Sequence, residues 1–220
     1  MSITENVVQS ESWNGESGLL WVANADERDR VLAPVGDVLL ATAAPAVGDD
    51  ILDIGCGCGA TTLMAATRTG TNGSATGIDL SMPMLDLARE RARAAGSTNA
   101  TFVHGDAQTY EFTPESVDLV IGRFGTMFFS DPEAAFDEIH IDAAEATFPL
   151  GQTLDEAIAY LADAGPGRML LDAIPEGPAR DAALADVRAA LVDHHHPDGV
   201  QLNGGIWLIN ATRPFHEIQR

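Results

Sequence analysis

The chain has 220 residues, 45% of them hydrophobic, which allows one sizeable core and an ordinary globular balance. Thirty-three acids stand against twelve bases, every base is arginine, and the formal net charge is −21. A field of that sign repels polyanions, so nucleic acids and anionic membranes are poor partners and small neutral or cationic ligands are good ones; the excess acid also suits solubility or a saline medium.

The opening MSITENVVQSES is polar and acidic, without the basic start and apolar stretch of a signal peptide, and no apolar run is long enough to cross a bilayer. A cytoplasmic protein is expected. An apolar helix follows near Val31 to Ala44, suited either to internal packing or to a homodimer.

At Ile51 an apolar run enters ILDIGCGCGATT, with Asp53 at the strand end and glycines at positions 55, 57 and 59. Strand, glycine turn and helix together make the nucleotide-gripping corner of an α/β sheet. Glycines at alternate positions let backbone approach a ligand where a Cβ would collide. Dinucleotide turns space their glycines GxGxxG and seat a pyrophosphate, which an added Asp would repel. The DxGxGxG spacing suits a ligand with cationic groups and no phosphate, such as S-adenosylmethionine, and disfavours a nicotinamide-dependent oxidoreductase. Asp53 has a plainer reading, as a cap on the turn. Cys56 and Cys58 lie too close together to bridge comfortably, lack a zinc site's further ligands and read as small fillers in a reducing compartment.

A second short strand closes on Gly77, Ile78, Asp79 and Leu80, where Asp79 can accept hydrogen bonds from both hydroxyls of a ribose. Ser81 then caps a helix with Pro83 in its first turn, and Met84, Leu87 and Ala88 recur at helical spacing until Gly96. Leu80 and Met84 could wall an adenine. A third strand, Thr101 to His104, runs into Gly105, Asp106 and Ala107; a fourth, Val117 to Ile121, runs into Gly122, Arg123 and Phe124. Four strands therefore deliver their C-terminal ends to one edge.

ILDIGCGCGATT, GIDLS, FVHGDAQ and VDLVIGRFGTMFF, in that order and spacing, resemble a class I S-adenosylmethionine-dependent methyltransferase of the small-molecule type. The resemblance covers roughly Asp50 to Ile139. It implies a doubly wound, Rossmann-like, mostly parallel sheet with an antiparallel last strand and helices on both faces, and methyl transfer to the oxygen, nitrogen or carbon of a small organic acceptor. By the same resemblance Gly55, Cys56 and Gly57 pass beneath the methionine part of the cofactor and Asp53 helps hold its amino group. Asp79 binds the ribose, Asp106 and Ala107 meet the adenine edge, and Arg123 and Phe124 lie beside the transferable methyl. SESWNGESGLLW is similar to the lid helix of related enzymes, which puts Trp13, Asn14 and Trp21 near the methionine end within lid helices spanning 1–45. The two tryptophans equally suit a purely structural anchor.

No catalytic residue is assigned. His104 and His140 are candidate bases by type, with plain alternatives as strand-end or surface residues. His194 to His196, in DHHHPDGV, read as a solvated turn, and no metal is expected. Met127, Phe128 and Phe129 make an apolar wall or simply pack.

The pattern departs from the family after the fourth strand. Asp131 and Pro132 start a helix through Phe136 and Ile139, but the family's basic PGG turn and fifth strand do not follow. HIDAAEATFPLG, which looks like a sixth strand, comes at once, then helical stretches near Leu154 to Ala162 and Ala179 to Leu191, and GGIWLINATRP as a closing strand. The core domain spans 46–220, and we expect several tens of residues to be absent near Ile139 to Ile141, because loss of that strand strands two ladders of backbone groups. An intact mass of 23.2 kDa would overturn this; a real deletion would force strands four and seven to pair, or a domain swap. The gap keeps alive a second reading, a protein that binds S-adenosylmethionine or its product without turnover.

Overall fold

A computed structural model describes residues 6–130, 138–163 and 165–212. The chain forms two compact units, one from Met1–Asp29, Val35–Asp142 and Trp207–Arg220, the other from Arg30–Pro34 and Ala143–Ile206.

The first unit begins with helices α1 (Val7–Asn14) and α2 (Glu16–Ala23) and holds α3 (Ala25–Ala43) apart from its residues 30–34. α3 starts six residues before the apolar pattern does, because Ala25 to Arg30 are helix-compatible but polar and carry no periodic signal. It ends at Ala44, which takes a left-handed conformation. Strands β1 (Asp50–Ile54), β2 (Ser74–Asp79), β3 (Ala100–His104) and β4 (Leu119–Ile121) form a parallel sheet in the order β3-β2-β1-β4, with α4 (Ala60–Thr69) and α5 (Met82–Ala94) as crossovers. Ser81 caps α5, accepting from the Met84 N–H, and Pro83 occupies its first turn, as the sequence predicts.

Register decides what reaches the sheet's edge. Asp53 lies opposite Gly77 on one side and Ile121 on the other, and Asp79 lies opposite His104. The chain runs outward from β1 through β2 to β3 and then crosses back to β4 on the far side of β1. That reversal opens a crevice at the strand ends, where ligands of open α/β sheets bind. Beneath it, Leu40, Ile51, Ala65, Ala66, Ala75 and Ile121 form a closed core, the alanines letting α4 lie close on the sheet.

The second unit holds most of β5 (Glu138–Gly151), all of β6 (His195–His196) and the first part of β7 (Gly199–Thr212), strands paired in the order β5-β7-β6 with β6 and β7 antiparallel. Helices α6 (Leu154–Asp163), α7 (Gly165–Asp172) and α8 (Pro178–Leu191) belong with it. Val31, Leu150, Ala157, Leu191 and Val200 are its core, and the Arg30 guanidinium donates to the carbonyls of Pro149 and Leu150. α7 has no counterpart in the sequence reading, since Gly165, Pro166 and Gly167 read as helix breakers.

The closing strand therefore pairs in a separate sheet. Among the described residues β4 has no neighbour on its outer side, so the direct pairing of strands four and seven is not formed. The helix expected from Asp131 falls on residues 131–137, outside those described, and Ile139, its expected last residue, already lies in β5. Among the described residues no helix is long and apolar enough to cross a membrane.

Candidate cofactor and acceptor site

The turn after β1 folds back over β2: the Gly55 and Cys56 N–H groups both donate to the Ile78 carbonyl, at 2.9 and 3.2 Å. Gly55 is at φ +68°, and a Cβ there would sit 2.5 Å from the Cα of Gly125, in the turn after β4. A Cβ at Gly59 would meet Ala88 and the Phe102 ring at about 3 Å. The close approach visible at these glycines is thus to the protein's own chain, one turn locked against another.

Asp53 is fully buried. Its Oδ2 accepts from the hydroxyls of Thr61 and Thr62, both at 2.6 Å, and its Oδ1 has no partner. The cap is formed by hydroxyls from the first turn of α4, not by backbone N–H groups. Burial raises the carboxyl pKa to about 6, against the opposing pull of the two threonines and of Arg123. Cys56 and Cys58 are free and buried. Burial pushes the Cys56 thiol well up and the Cys58 thiol to about 12, so neither is a nucleophile at neutral pH.

Asp79 accepts from the Gly57 N–H at Oδ2 and the Ser81 N–H at Oδ1, both at 2.8 Å, and burial raises its pKa. Each oxygen keeps a lone pair for a further donor. Leu80, His104, Gly105, Asp106 and Tyr110 line a cavity of about 570 Å³ roofed by Asn6 and Ser10 of the N-terminal segment. Asp106 accepts from the Asn6 N–H at 3.1 Å and from Gln108, whose N–H and side-chain amide reach Oδ1 at 3.0 and 3.2 Å; Ala107 follows in the same turn, half-buried. Met84 is not on this wall. It is buried with Ala25 and Cys58, and Gly57 leaves room for its methyl end.

The N-terminal helices are stitched to the same loops. Asn14 donates to the Leu80 carbonyl and accepts from the Met82 N–H, at 2.8 and 2.9 Å, and the Ser81 hydroxyl donates to the Trp13 carbonyl at 2.6 Å. The Trp13 ring stands edge-on to Trp21 and Phe128, at centroid distances of 5.8 and 5.4 Å, and the Arg28 guanidinium lies over Trp21. Asn14→Ala is expected to lower stability by roughly 1 kcal/mol, the net worth of the exposed bonds lost. Urea unfolding followed by tryptophan emission checks it.

Arg123 pairs with Asp29 of α3 at 3.2 Å, and Asp29 also binds Arg91, which reaches Asp26 as well. Phe124 is at φ +68°, unusual for a bulky residue, and leaves its ring part-exposed beside Met127. His104 donates from Nε2 to the Leu80 carbonyl at 3.0 Å and lines the cavity, while His140 is exposed in β5. His194 to His196 form a short turn and β6, all exposed. Among the described residues no three His, Cys, Asp or Glu side chains converge as a metal site.

Sequence reasoning overlooked Thr61, Thr62, Asp29 and Asn6. The paired hydroxyls one turn beyond a strand-end Asp were the available signal for the threonines; Asp29 and Asn6 act across 94 and 100 residues and left none.

Comparison with known proteins centres on the same stretch. Residues 51–141 match a family described as methyltransferase domain. Aklanonic acid methyltransferase DauC of Streptomyces sp. (strain C5) is 37% identical over 102 residues, 46% of this chain and 46% of that protein. Nocamycin O-methyltransferase of Saccharothrix syringae is 35% identical over 98 residues, 44% of this chain and 35% of that protein. A SAM dependent methyltransferase structure from Aquifex aeolicus aligns with a TM-score of 0.46 at 18% identity, over 57% of this chain and 70% of the other. The chain covers less than half the length of these curated relatives.

Proposed function

We infer the function from the family to which residues 51–141 assign the chain, the class I S-adenosylmethionine-dependent methyltransferases: the protein transfers a methyl group to a small organic acceptor. The observation that carries this reading is the placement of Asp53, Asp79 and Asp106 at or just beyond the C-terminal ends of three adjacent parallel strands. The bare, buried Oδ1 of Asp53 is an orphaned acceptor of the kind a cationic ligand satisfies, so the residues fit the cofactor.

When bound, S-adenosylmethionine supplies a methyl group on a sulfonium leaving group, displaced in line by the acceptor's nucleophilic atom to leave S-adenosylhomocysteine. The chain's own task is placement. In this reading Gly55, Cys56 and Gly57 underlie the methionine portion and Asp53 offsets its ammonium charge. Asp79 accepts from the ribose hydroxyls, and Leu80, Asp106 and Ala107 contact the adenine. Trp13, Arg123 and Phe124 border the methyl, with Arg123 held in place by Asp29. Alignment of two reactants supplies several kcal/mol by itself, and no general base is assigned.

We also propose that the chain lacks the family's fifth strand near Ile139 to Ile141. Among the described residues β4 has no outer neighbour and the later strands pair in a second sheet, which supports this. The same feature favours one alternative, binding of the cofactor or its product without turnover, because the wall beyond β4 is where an acceptor pocket would continue. Assays with phenols, amines and polyketide-like acceptors separate the two.

Calorimetric titration with S-adenosylhomocysteine tests the central reading. Binding is expected, with no heat from NAD and at least about a tenfold loss in Asp79→Ala, near 1.4 kcal/mol. No binding of S-adenosylhomocysteine would withdraw the assignment.

A further inference from the structure

We propose that His104 is a positioning residue for the adenosine half of the cofactor: its ring orients the Leu80–Ser81 peptide and, through that peptide, the Asp79 carboxylate. The proposal rests on the methyltransferase reading, which gives Asp79 to the ribose. His104 is exposed at the end of β3, opposite Asp79. The backbone ladder between β2 and β3 closes with the Gly105 N–H donating to the Asp79 carbonyl at 3.0 Å. Beyond it the chain turns toward α5, and the His104 ring adds one more rung, with Nε2 3.0 Å from the Leu80 carbonyl oxygen. A carbonyl only accepts, so Nε2 carries the proton and does not serve as a general base. Asn14 donates to the same oxygen from α1 at 2.8 Å, which engages both of its lone pairs.

The other end of that peptide reaches the site. In a planar trans peptide the C=O and N–H point in opposite directions, so holding one aims the other. The Ser81 N–H donates to Asp79 Oδ1 at 2.8 Å, and the Gly57 N–H fixes Oδ2 at the same distance. Burial raises the Asp79 pKa, and the Ser81 N–H is the strongest of the contacts that oppose the rise. A peptide free to rotate would carry that N–H away from the carboxylate. Asn14 holds the peptide from α1, the helix whose Ser10 roofs the cavity together with Asn6. His104 holds it from the sheet, so its donor stays in place when a ligand entering beneath that roof displaces α1. Leu80 and His104 both line the cavity, and the cost of losing the donor falls on what binds there.

The test is calorimetry on the full chain with two probes, S-adenosylhomocysteine and methylthioadenosine, which lacks the amino-acid part. His104→Phe keeps a ring and removes the donor, whereas His104→Gln offers an amide N–H in place of Nε2. His104→Phe is expected to weaken both probes by the same factor, about tenfold, and His104→Gln to stay within about threefold of the unmutated protein. The urea midpoint of either variant should fall by no more than roughly 0.5 M, the equivalent of one exposed hydrogen bond. Nitrogen NMR should show one histidine ring, missing from His104→Gln, with its proton on Nε2. Unchanged affinity in His104→Phe, whatever its midpoint, makes the residue a structural link and overturns the proposal. So does a loss confined to S-adenosylhomocysteine, a loss that His104→Gln shares, a proton found on Nδ1 alone, or no methylthioadenosine binding by an unmutated protein that holds S-adenosylhomocysteine. Failure of S-adenosylhomocysteine to bind the unmutated protein overturns the proposal together with the methyltransferase reading.

Discussion

Asp53→Asn is expected to stabilise the protein at neutral pH and at the same time to weaken its hold on the cofactor. The carboxylate is fully buried, and two threonine hydroxyls serve only one of its oxygens. Burial moves its pKa from 3.8 to about 6. A displacement of that size corresponds to about 3 kcal/mol of preference for the protonated form.

The pH dependence follows from the direction of that shift. A carboxyl whose folded pKa is raised binds its proton more tightly in the native state than in the unfolded chain, so stability falls as pH rises. The loss begins near pH 4, where the unfolded carboxyl ionises, and is complete above about pH 6. The asparagine variant carries no such loss. Its advantage in urea unfolding should be about 3 kcal/mol at pH 7.5 and about half that at pH 5, reduced somewhat by the amide it leaves without an acceptor. In calorimetry the same variant should bind S-adenosylhomocysteine at least about tenfold more weakly, since the charge opposing the ligand's ammonium is gone. Opposite signs for stability and binding mark a residue retained for its ligand. Unchanged affinity would instead make Asp53 a cap for α4 and remove it from the site.

Much of this corner was legible because its signals are local. The apolar run, the strand-end Asp and the glycines lie within twelve residues, and Asp79 with its capped helix lies one crossover further on. What escaped is tertiary. Thr61 and Thr62 read as ordinary helix residues until β1 brings Asp53 over them. Arg123 reads as an approach to the methyl, but its charge is already met by Asp29, 94 residues earlier on a helix whose polar start hides its boundary. Met84 has the right spacing for an adenine wall, and its side chain is buried beside Ala25 and Cys58, with Gly57 leaving room for its methyl end. The last strand was expected as GGIWLINATRP, from Gly204, whereas β7 begins at Gly199, since Gln201, Asn203 and two glycines weaken the β signal that cross-strand pairing then supplies.

Gly125→Ala is expected to cost about 3–5 kcal/mol, and to abolish S-adenosylhomocysteine binding where the fold survives. A Cβ at this position would lie 2.4 Å from the Ile54 carbonyl oxygen and 2.7 Å from the Gly55 Cα. Both are backbone atoms fixed by β1 and by the Gly55 N–H bond to Ile78, so no side chain can swing aside. The two turns must part, and parting them separates Gly55 and Gly57, which underlie the methionine portion in the proposed reading, from Arg123 and Phe124. Gly96→Ala is the control. Gly96 has φ +65° and open space around it, so the methyl meets only the left-handed backbone penalty of about 1 kcal/mol. Urea midpoints for the two variants distinguish contact from conformation. A Gly125→Ala shift no larger than that of Gly96→Ala would mean that the two turns are not held against each other.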